Sequence, residues 1–433
     1  MDFGASRVKW TLNSINDNVL LDNGSFSNPY IKSNEYVEIS INLVIKLTKS
    51  LISNLIKKWK VEKILISSQM HGFALMDSDN CYLTEYISWF DQRFLNYESK
   101  NLEKFIKYHS DIFYTNTGMT IKSSLPYFNS IPVFKKLNNN SFKLVSLPEI
   151  LLHGLGVKSP KVHTTLLAGS GFYSLKDNCC SKALLDIHYK LTGKSVTFNE
   201  HTDKFISFET KISGKIINVS IGYGDHQCSV LGANNTMYST SINMGTGSQV
   251  SKIITPQEIE FSNSIQFRPY FDNKFLKCIT HIPSGRVLNN FLKIVENNKP
   301  PNNIWDDIKK LNISQILNST LTFNLAIFPD AYNYQPTSSQ IYGIKDDNFT
   351  YSNYISSLIK SYLNQYIDII DLVEKKSKIK STKIILSGGL AKQVNVSKKY
   401  FETMQIKKVV ESKTSYIEDE AILGLKKMIK YEN

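Results

Sequence analysis

Apolar residues between Glu35 and Trp59 fall at helical spacing, at Ile41, Val44, Ile45, Leu51, Ile52 and Leu55 with Thr48 among them. A period near 3.6 predicts an amphipathic helix there. The chain then enters Lys63-Ile64-Leu65-Ile66-Ser67-Ser68, a short apolar run that predicts a buried strand, and Phe73–Asp77 reads as its returning, paired strand. Ahead of the helix, Asp2-Phe3-Gly4-Ala5-Ser6-Arg7-Val8-Lys9-Trp10-Thr11-Leu12 places a glycine turn before an apolar alternation, the pattern of a tight hairpin. Ile216–Gly222 predicts a new strand with glycines behind it. Thr350–Leu372 predicts a long amphipathic helix, Lys383–Ser387 a buried strand and Ile417–Ile429 a closing helix.

Helices and strands therefore alternate in both halves, which predicts an α/β fold throughout. A chain of 433 residues exceeds the roughly 250 to 300 at which single cores stop growing, so two domains are expected. The new strand series after Ser213 puts the boundary between 1–213 and 214–433.

Composition narrows the function classes. The net charge is +13, but the lysines are dispersed among Asn, Ile and Ser, as in Ile56-Lys57-Lys58-Trp59, and form no long basic tract, so no nucleic-acid partner is expected. No apolar run approaches about 20 residues, so no membrane span is expected. Cys81, Cys179, Cys180, Cys228 and Cys278 form no CxxC pair and no dense framework, which fits a reducing, cytoplasmic setting.

Candidate chemistry gathers at predicted strand ends. Asp2-x-Gly4-x-Ser6-x-x-Lys9 combines a carboxylate suited to a hydrated Mg²⁺, a glycine that admits phosphate oxygens to the backbone, a hydroxyl and a cation. Gln69-Met70-His71-Gly72 follows a strand, and Trp89 to Arg93 add an aromatic floor and polar groups, together the makings of a sugar site. Gly222-Tyr223-Gly224-Asp225-His226-Gln227 presents an acidic residue between glycines and close to a substrate, where Asp225 can act as a general base for a sugar hydroxyl. Asn243 to Ser248, with Gly245, Thr246 and Gly247, is a donor-rich turn suited to phosphates, and Gly388-Gly389 opens backbone to a nucleobase or ribose. No GxxxxGK[ST] or strand-borne GxGxxG occurs, so the nucleotide is held without a P-loop.

In this order the segments resemble the FGGY family of carbohydrate kinases, over nearly the whole chain. The opening Asp-x-Gly-Thr-[Ser/Thr]-x-x-Lys is met by Asp2, Gly4, Ser6 and Lys9, with Ala5 for the threonine. Gln69-Met70-His71-Gly72 and the Trp89, Asp91, Arg93 pattern resemble the sugar-contacting blocks of xylulokinase-like members. Thr117-Gly118-Met119, Ser146-Leu147-Pro148-Glu149, Ala168–Tyr173 and Glu420-Ala421-x-x-Gly424 match further landmarks. Phe267-Arg268-Pro269-Tyr270-Phe271-Asp272 with Gly285-Arg286-Val287-Leu288 is most similar to sedoheptulokinases.

The resemblance implies two ribonuclease-H-like domains of the actin/hexokinase ATPase type flanking a cleft, and ATP-dependent phosphorylation of a ketose such as sedoheptulose, xylulose or ribulose. It implies Asp225 as catalytic base, and Gln69, Met70, His71, Trp89, Asp225 and His226 at the sugar. Gly4, Ala5, Ser6, Lys9, Gly245, Thr246, Gly247, Gly285, Gly388 and Gly389 would hold ATP, and Asp2 the Mg²⁺; a homodimer is common in the family. The sequence also departs from the pattern. Only Met1 precedes Asp2, where the family carries several residues of its first strand, so that strand is short or begins upstream. The family's Gly-x-Arg is approximated by Gly343-Ile344-Lys345 after Phe328-Pro329-Asp330. These departures leave a second reading, a degenerate member that binds sugar or nucleotide without phosphoryl transfer.

Overall fold

The structure is a computed structural model that describes residues 1–33, 36–245, 248–262, 265–296, 304–327, 339–404, 407–412, 414–415 and 417–429. Thr246, Gly247 and Phe328-Pro329-Asp330 lie outside the described residues. The chain divides into two compact units, one of Met1–Gly232, Arg268–Asn273 and Thr414–Asn433, the other of Ala233–Phe267 and Lys274–Lys413.

The first unit is built on a five-stranded sheet in the order Tyr223–Gly224, Ser67–Ser68, Asp2–Phe3, Arg7–Asn13, Leu20–Ser27. Asp2–Phe3 runs antiparallel to Arg7–Asn13, as the glycine turn predicts, and parallel to Ser67–Ser68, which is itself parallel to Tyr223–Gly224. Ser67–Ser68 does not pair with the strand that follows it. Ala74–Met76 pairs instead with Ser141–Val145 in another sheet, so Gln69–Gly72 is a crossover between sheets and not a hairpin loop. The predicted helix is observed at Ile41–Lys58, with Val44, Thr48 and Ile52 buried; Val37–Ile39 ahead of it is a strand.

Lys215–Ser220 is the second arm of a hairpin with Ser207–Ile212 and runs parallel to Lys63–Ile64. The expected boundary after Ser213 therefore falls at a hairpin turn inside the first unit, where Ser213 and Gly214 take φ values of 47° and 80°. Two apolar clusters fill this unit. One joins Phe3, Val8, Ile52, Ile64 and Val219 around the sheet; the other is aromatic, with Phe105, Phe113, Tyr127 and Phe128 from the helices Arg93–Thr117 and Pro126–Lys136.

The second unit carries a six-stranded sheet in the order Gln266–Pro269, Phe275–Ile282, Ser248–Ile254, Ser239–Asn243, Lys383–Ser387, Lys408–Glu411. The strand Lys383–Ser387 has the predicted bounds and lies parallel to Ser239–Asn243. The helix Tyr351–Glu374 packs on this sheet through a long buried face that includes Leu358, Tyr362 and Tyr366. Among the described residues no helix is long and apolar enough to cross a membrane.

Candidate active site

Three adjacent parallel strands place their carboxyl-terminal ends side by side, the position at which α/β sheets display binding groups. Asp2 pairs with Ser67 in register, the Gln69 amide nitrogen donates to Phe3 O at 2.9 Å, and Gly224 is in register with Ser68 and leads directly into Asp225. The Asp2, Gln69 and Asp225 segments, spread over more than 220 residues of sequence, thus meet at one edge. The two loops also touch. A Cβ added to Gly224 would stand 3.0 Å from Met70 Sδ and 2.4 Å from Gln227 Oε1.

Asp225 opens the helix Asp225–Gly232, where its carboxylate accepts from the His226 backbone N–H at 2.8 Å. Burial raises its pKa to about 6, with the Asp419 charge adding to the rise, while the His226 N–H and the Arg268 guanidinium hold it down. Asp2 accepts from Ser67 Oγ at 2.7 Å, yet burial and the charges of Asp419 and Asp225 push its pKa to about 8. Asp419 forms a 2.6 Å ion pair with Lys9 and caps the helix Glu420–Met428 by accepting from Ile422 N–H. The charges of Asp419 and Asp225 thus act on Asp2, and that of Asp419 on Asp225, in the direction expected of like charges beside a carboxyl.

Two glycines bring the capped helix to this place. A Cβ at Gly424 would meet Cys228 O at 2.0 Å and one at Gly232 would meet Glu420 O at 1.8 Å, so the two helices pack backbone against backbone. The glycine of Glu420-Ala421-x-x-Gly424 is thereby a packing residue that seats Asp419. Neither Asp419 nor Arg268 stands out as a site residue in the sequence. Asp419 could have been read as an N-cap ahead of an apolar helical run.

Arg268 is buried, and its guanidinium lies 3.3 Å from His226 Nδ1. Burial and the Arg268 charge drive the His226 pKa well below its ordinary value and that of His71 to about 3, so both imidazoles are neutral. His71 Nδ1 sits 2.8 Å from Gly169 O, which fixes the ring and assigns the proton to Nδ1. The Gln69 side chain is 2% exposed, and neither its amide oxygen nor its nitrogen has a hydrogen-bond partner of good geometry among the described residues. A buried amide left this way costs on the order of 1 to 3 kcal/mol.

Trp89 follows the Phe73–Ile87 bridge at the end of the Gln69–Gly72 crossover, and its ring stacks on Phe90 with centroids 3.9 Å apart. Asp91 and Arg93 bind each other instead of offering polar groups outward. Arg93 Nε and Nη2 each reach the Asp91 carboxylate at 2.8 Å, Nη2 also donates to Glu38 at 2.7 Å, and Val37 N–H donates to Asp91. They fasten the Val37–Ile39 strand to the helix that starts at Arg93.

The turn Gly4-Ala5-Ser6 is held through its carbonyls, by Asn28 Nδ2 to Gly4 O at 2.7 Å and Tyr30 OH to Ala5 O at 2.6 Å. In the second unit Gly245, Gly285, Gly388 and Gly389 come together. Gly388 adopts φ 88°, and a Cβ there would stand 2.6 Å from Met244 O, so only glycine fits. The Leu390 N–H then donates to that same Met244 O at 2.9 Å. Gly245 O accepts from Ser284 Oγ at 2.8 Å, and Ser284 is linked through Ser248 Oγ to the buried Tyr366 hydroxyl. Among the described residues no three His, Cys, Asp or Glu side chains converge as a metal-holding group.

Residues 1–133 match the N-terminal domain of the FGGY family of carbohydrate kinases. No curated protein matches the chain in sequence. Its fold is similar to that of ligand-bound xylulose kinase from Lactobacillus acidophilus, with a TM-score of 0.82 at 20% identity over 100% of this chain and 89% of that one. Gluconate kinase from Lactobacillus acidophilus gives 0.81 at 20% identity over 100% and 89%. Plasmodium falciparum glycerol kinase with ADP gives 0.81 at 15% identity over 99% and 89%. The α/β fold of two actin/hexokinase-type domains that the sequence leads one to expect is the fold found. Residues 1–133 match the N-terminal domain of the FGGY carbohydrate kinases, and the chain as a whole has the fold of the xylulose, gluconate and glycerol kinases to which it is similar.

Proposed function

We propose that the protein transfers the γ-phosphoryl group of ATP to a hydroxyl of a ketose, with sedoheptulose, xylulose and ribulose as the substrates to try first and Asp225 as the general base. The observation that carries this reading is Asp225 itself: a buried carboxylate with a pKa near 6, in the loop that touches the Gln69-Met70-His71 crossover. At neutral pH it is ionised, and a base with a pKa close to the working pH accepts a proton efficiently as the sugar oxygen attacks phosphorus. The Gln69 amide, which has no hydrogen-bond partner of good geometry among the described residues, and the neutral imidazoles of His71 and His226 suit hydroxyl groups, which both donate and accept, better than they suit an ion. Met70 and Trp89 supply apolar surface for the carbon skeleton.

For the nucleotide, the Gly4-Ala5-Ser6 turn with Lys9 and the turns at Gly245-Thr246-Gly247, Gly285 and Gly388-Gly389 are the proposed contacts. Asp2 suits Mg²⁺, because the buried carboxyls of Asp2 and Asp225, both with raised pKa values and both acted on by the Asp419 charge, favour added positive charge. Without a preformed trio of ligands, the ion fits as one that keeps its waters and arrives with the phosphates, and it would offset their charge. The five cysteines are free thiols, which supports a reducing, cytoplasmic setting.

The test is ADP release from Mg-ATP against a panel of ketoses and polyols, with Asp225→Ala as control. Sugar-dependent turnover that the variant loses supports the reading and names the substrate. Sugar or nucleotide binding with no turnover for any sugar replaces it with a binding-only protein.

A further inference from the structure

The two neutral imidazoles of the candidate site, those of His71 and His226, face partners of opposite kind. His71 Nδ1 lies 2.8 Å from Gly169 O, a backbone carbonyl that can only accept. His226 Nδ1 lies 3.3 Å from Arg268 Nη1, on a guanidinium that can only donate. A neutral imidazole carries one proton on one of its two nitrogens, and the hydrogen bond made at one fixes the state of the other. The His71 proton is therefore on Nδ1, and its Nε2 accepts. In His226 the assignment is reversed: Nδ1 holds the lone pair, and Nε2, on the side of the ring away from Arg268, carries the proton.

Packing holds the pair in place. Arg268 is 7% exposed and His226 6%. The next residue in each segment is paired as well, since Gln227 Nε2 donates to Pro269 O at 3.0 Å. Two residues further on, the Phe271 ring packs against His163 and Tyr223, with centroids 5.9 and 6.0 Å away. Tyr223 pairs with Ser67 in the strand that leads to Asp225. The backbone that carries Arg268 is thus fastened to the strand and helix that carry Asp225 and His226.

A proton on His226 Nδ1 would set an N–H against the N–H of a cation, away from water. That arrangement loses a charge-assisted hydrogen bond and leaves a buried donor unmet, so a single tautomer is populated. The Arg268 charge also lowers the pKa of Asp225 and of both imidazoles, which favours the ionised base and the uncharged rings.

We propose that Arg268 is a positioning residue that holds His226 as the Nε2–H tautomer, so that His226 meets the substrate as a hydrogen-bond donor while His71 meets it as an acceptor. The substrate then places an oxygen lone pair at His226 and an O–H at His71. A polyhydroxylated carbon chain meets both demands, whereas an ammonium group has no lone pair for the first. The role at the sugar rests on the kinase reading above; the tautomer does not.

The test is nitrogen-15 NMR of the full chain labelled at histidine, because protonated and lone-pair ring nitrogens resonate far apart. In the parent, His71 should be protonated at Nδ1 and His226 at Nε2. Arg268→Met should move the His226 proton to Nδ1 or share it between the two nitrogens, and Arg268→Lys, which restores a donor-only cation, should return it to Nε2. A His226 proton on Nδ1 in the parent overturns the proposal without recourse to any variant. An Nε2–H ring unchanged in Arg268→Met removes Arg268 as its cause. In turnover, Arg268→Met should raise the KM for sugar at least about tenfold with the KM for ATP unchanged, and Arg268→Lys should recover most of that loss. A sugar KM that stays put while the tautomer switches overturns the donor role. No turnover by the parent with any sugar strikes the kinase reading instead, and the ring spectra still decide the tautomer.

Discussion

The carboxylate cluster of the first unit and the glycine turns of the second solve opposite problems. Around Asp2 and Asp225, with Asp419 beside them, charge is concentrated where burial opposes it, and the result is raised pKa values for Asp2 and Asp225 and a helix pulled in by two glycines. Around Gly245, Gly285 and Gly388 the work falls to the backbone, with hydroxyls of Ser248, Ser284 and Tyr366 bracing the turn from beneath. The first arrangement is costly to fold and suited to moving a proton. The second is inexpensive electrostatically and suited to lying flat against a ligand. Stability and activity should therefore respond in opposite senses in the first region and together in the second.

The sharpest break is Asp225→Ala, expected to lower kcat by about 1,000-fold or more while isothermal titration still detects nucleotide binding. A loss under tenfold would remove Asp225 as the base. Next is Gly388→Ala, which forces a side chain into φ 88° and against Met244 O. It should raise the KM for ATP at least about tenfold and lower the melting temperature, with the KM for sugar unchanged; an equal effect on both substrates would erase the distinction between the regions.

Asp2→Asn should abolish turnover yet stabilise the fold. The Asp2 carboxyl is raised to about 8, so the stability it permits is complete at pH below the ordinary carboxylate range and is lost as pH rises through about 8. The variant should melt a few degrees higher than the parent at pH 9 and at the same temperature at pH 4; a lower melting temperature at pH 9 would contradict the electrostatic account. The smallest effect is that of Asp419→Asn, which keeps a helix cap but removes a charge that raises Asp225. The acid limb of kcat/KM, expected near pH 6 in the parent, should move to lower pH, and movement upward would show that Asp419 acts otherwise.

Much of the local structure is legible in the sequence. The opening hairpin, the helix at Ile41–Lys58, the strand Lys383–Ser387 and the helix Tyr351–Glu374 follow from periodicity and turn chemistry, because these depend on neighbours within a few residues. The motif segments of the candidate site can be picked out too, since glycines next to acidic or polar groups at strand ends are local patterns. Other features escaped such reading. Asp91 and Arg93 look like outward polar groups but close on each other, and Gln69–Gly72 looks like a hairpin loop but crosses between sheets.

What the sequence by itself determined is which segments form strands, helices and turns and which residue types stand at their ends. Tertiary structure alone decided that Asp419 and Arg268 act on Asp225 and that the charges of Asp225 and Asp419 raise the pKa of Asp2. The physical reason is that charge coupling and strand pairing depend on distance in space between residues as much as 417 positions apart, and no periodicity along the chain records that distance.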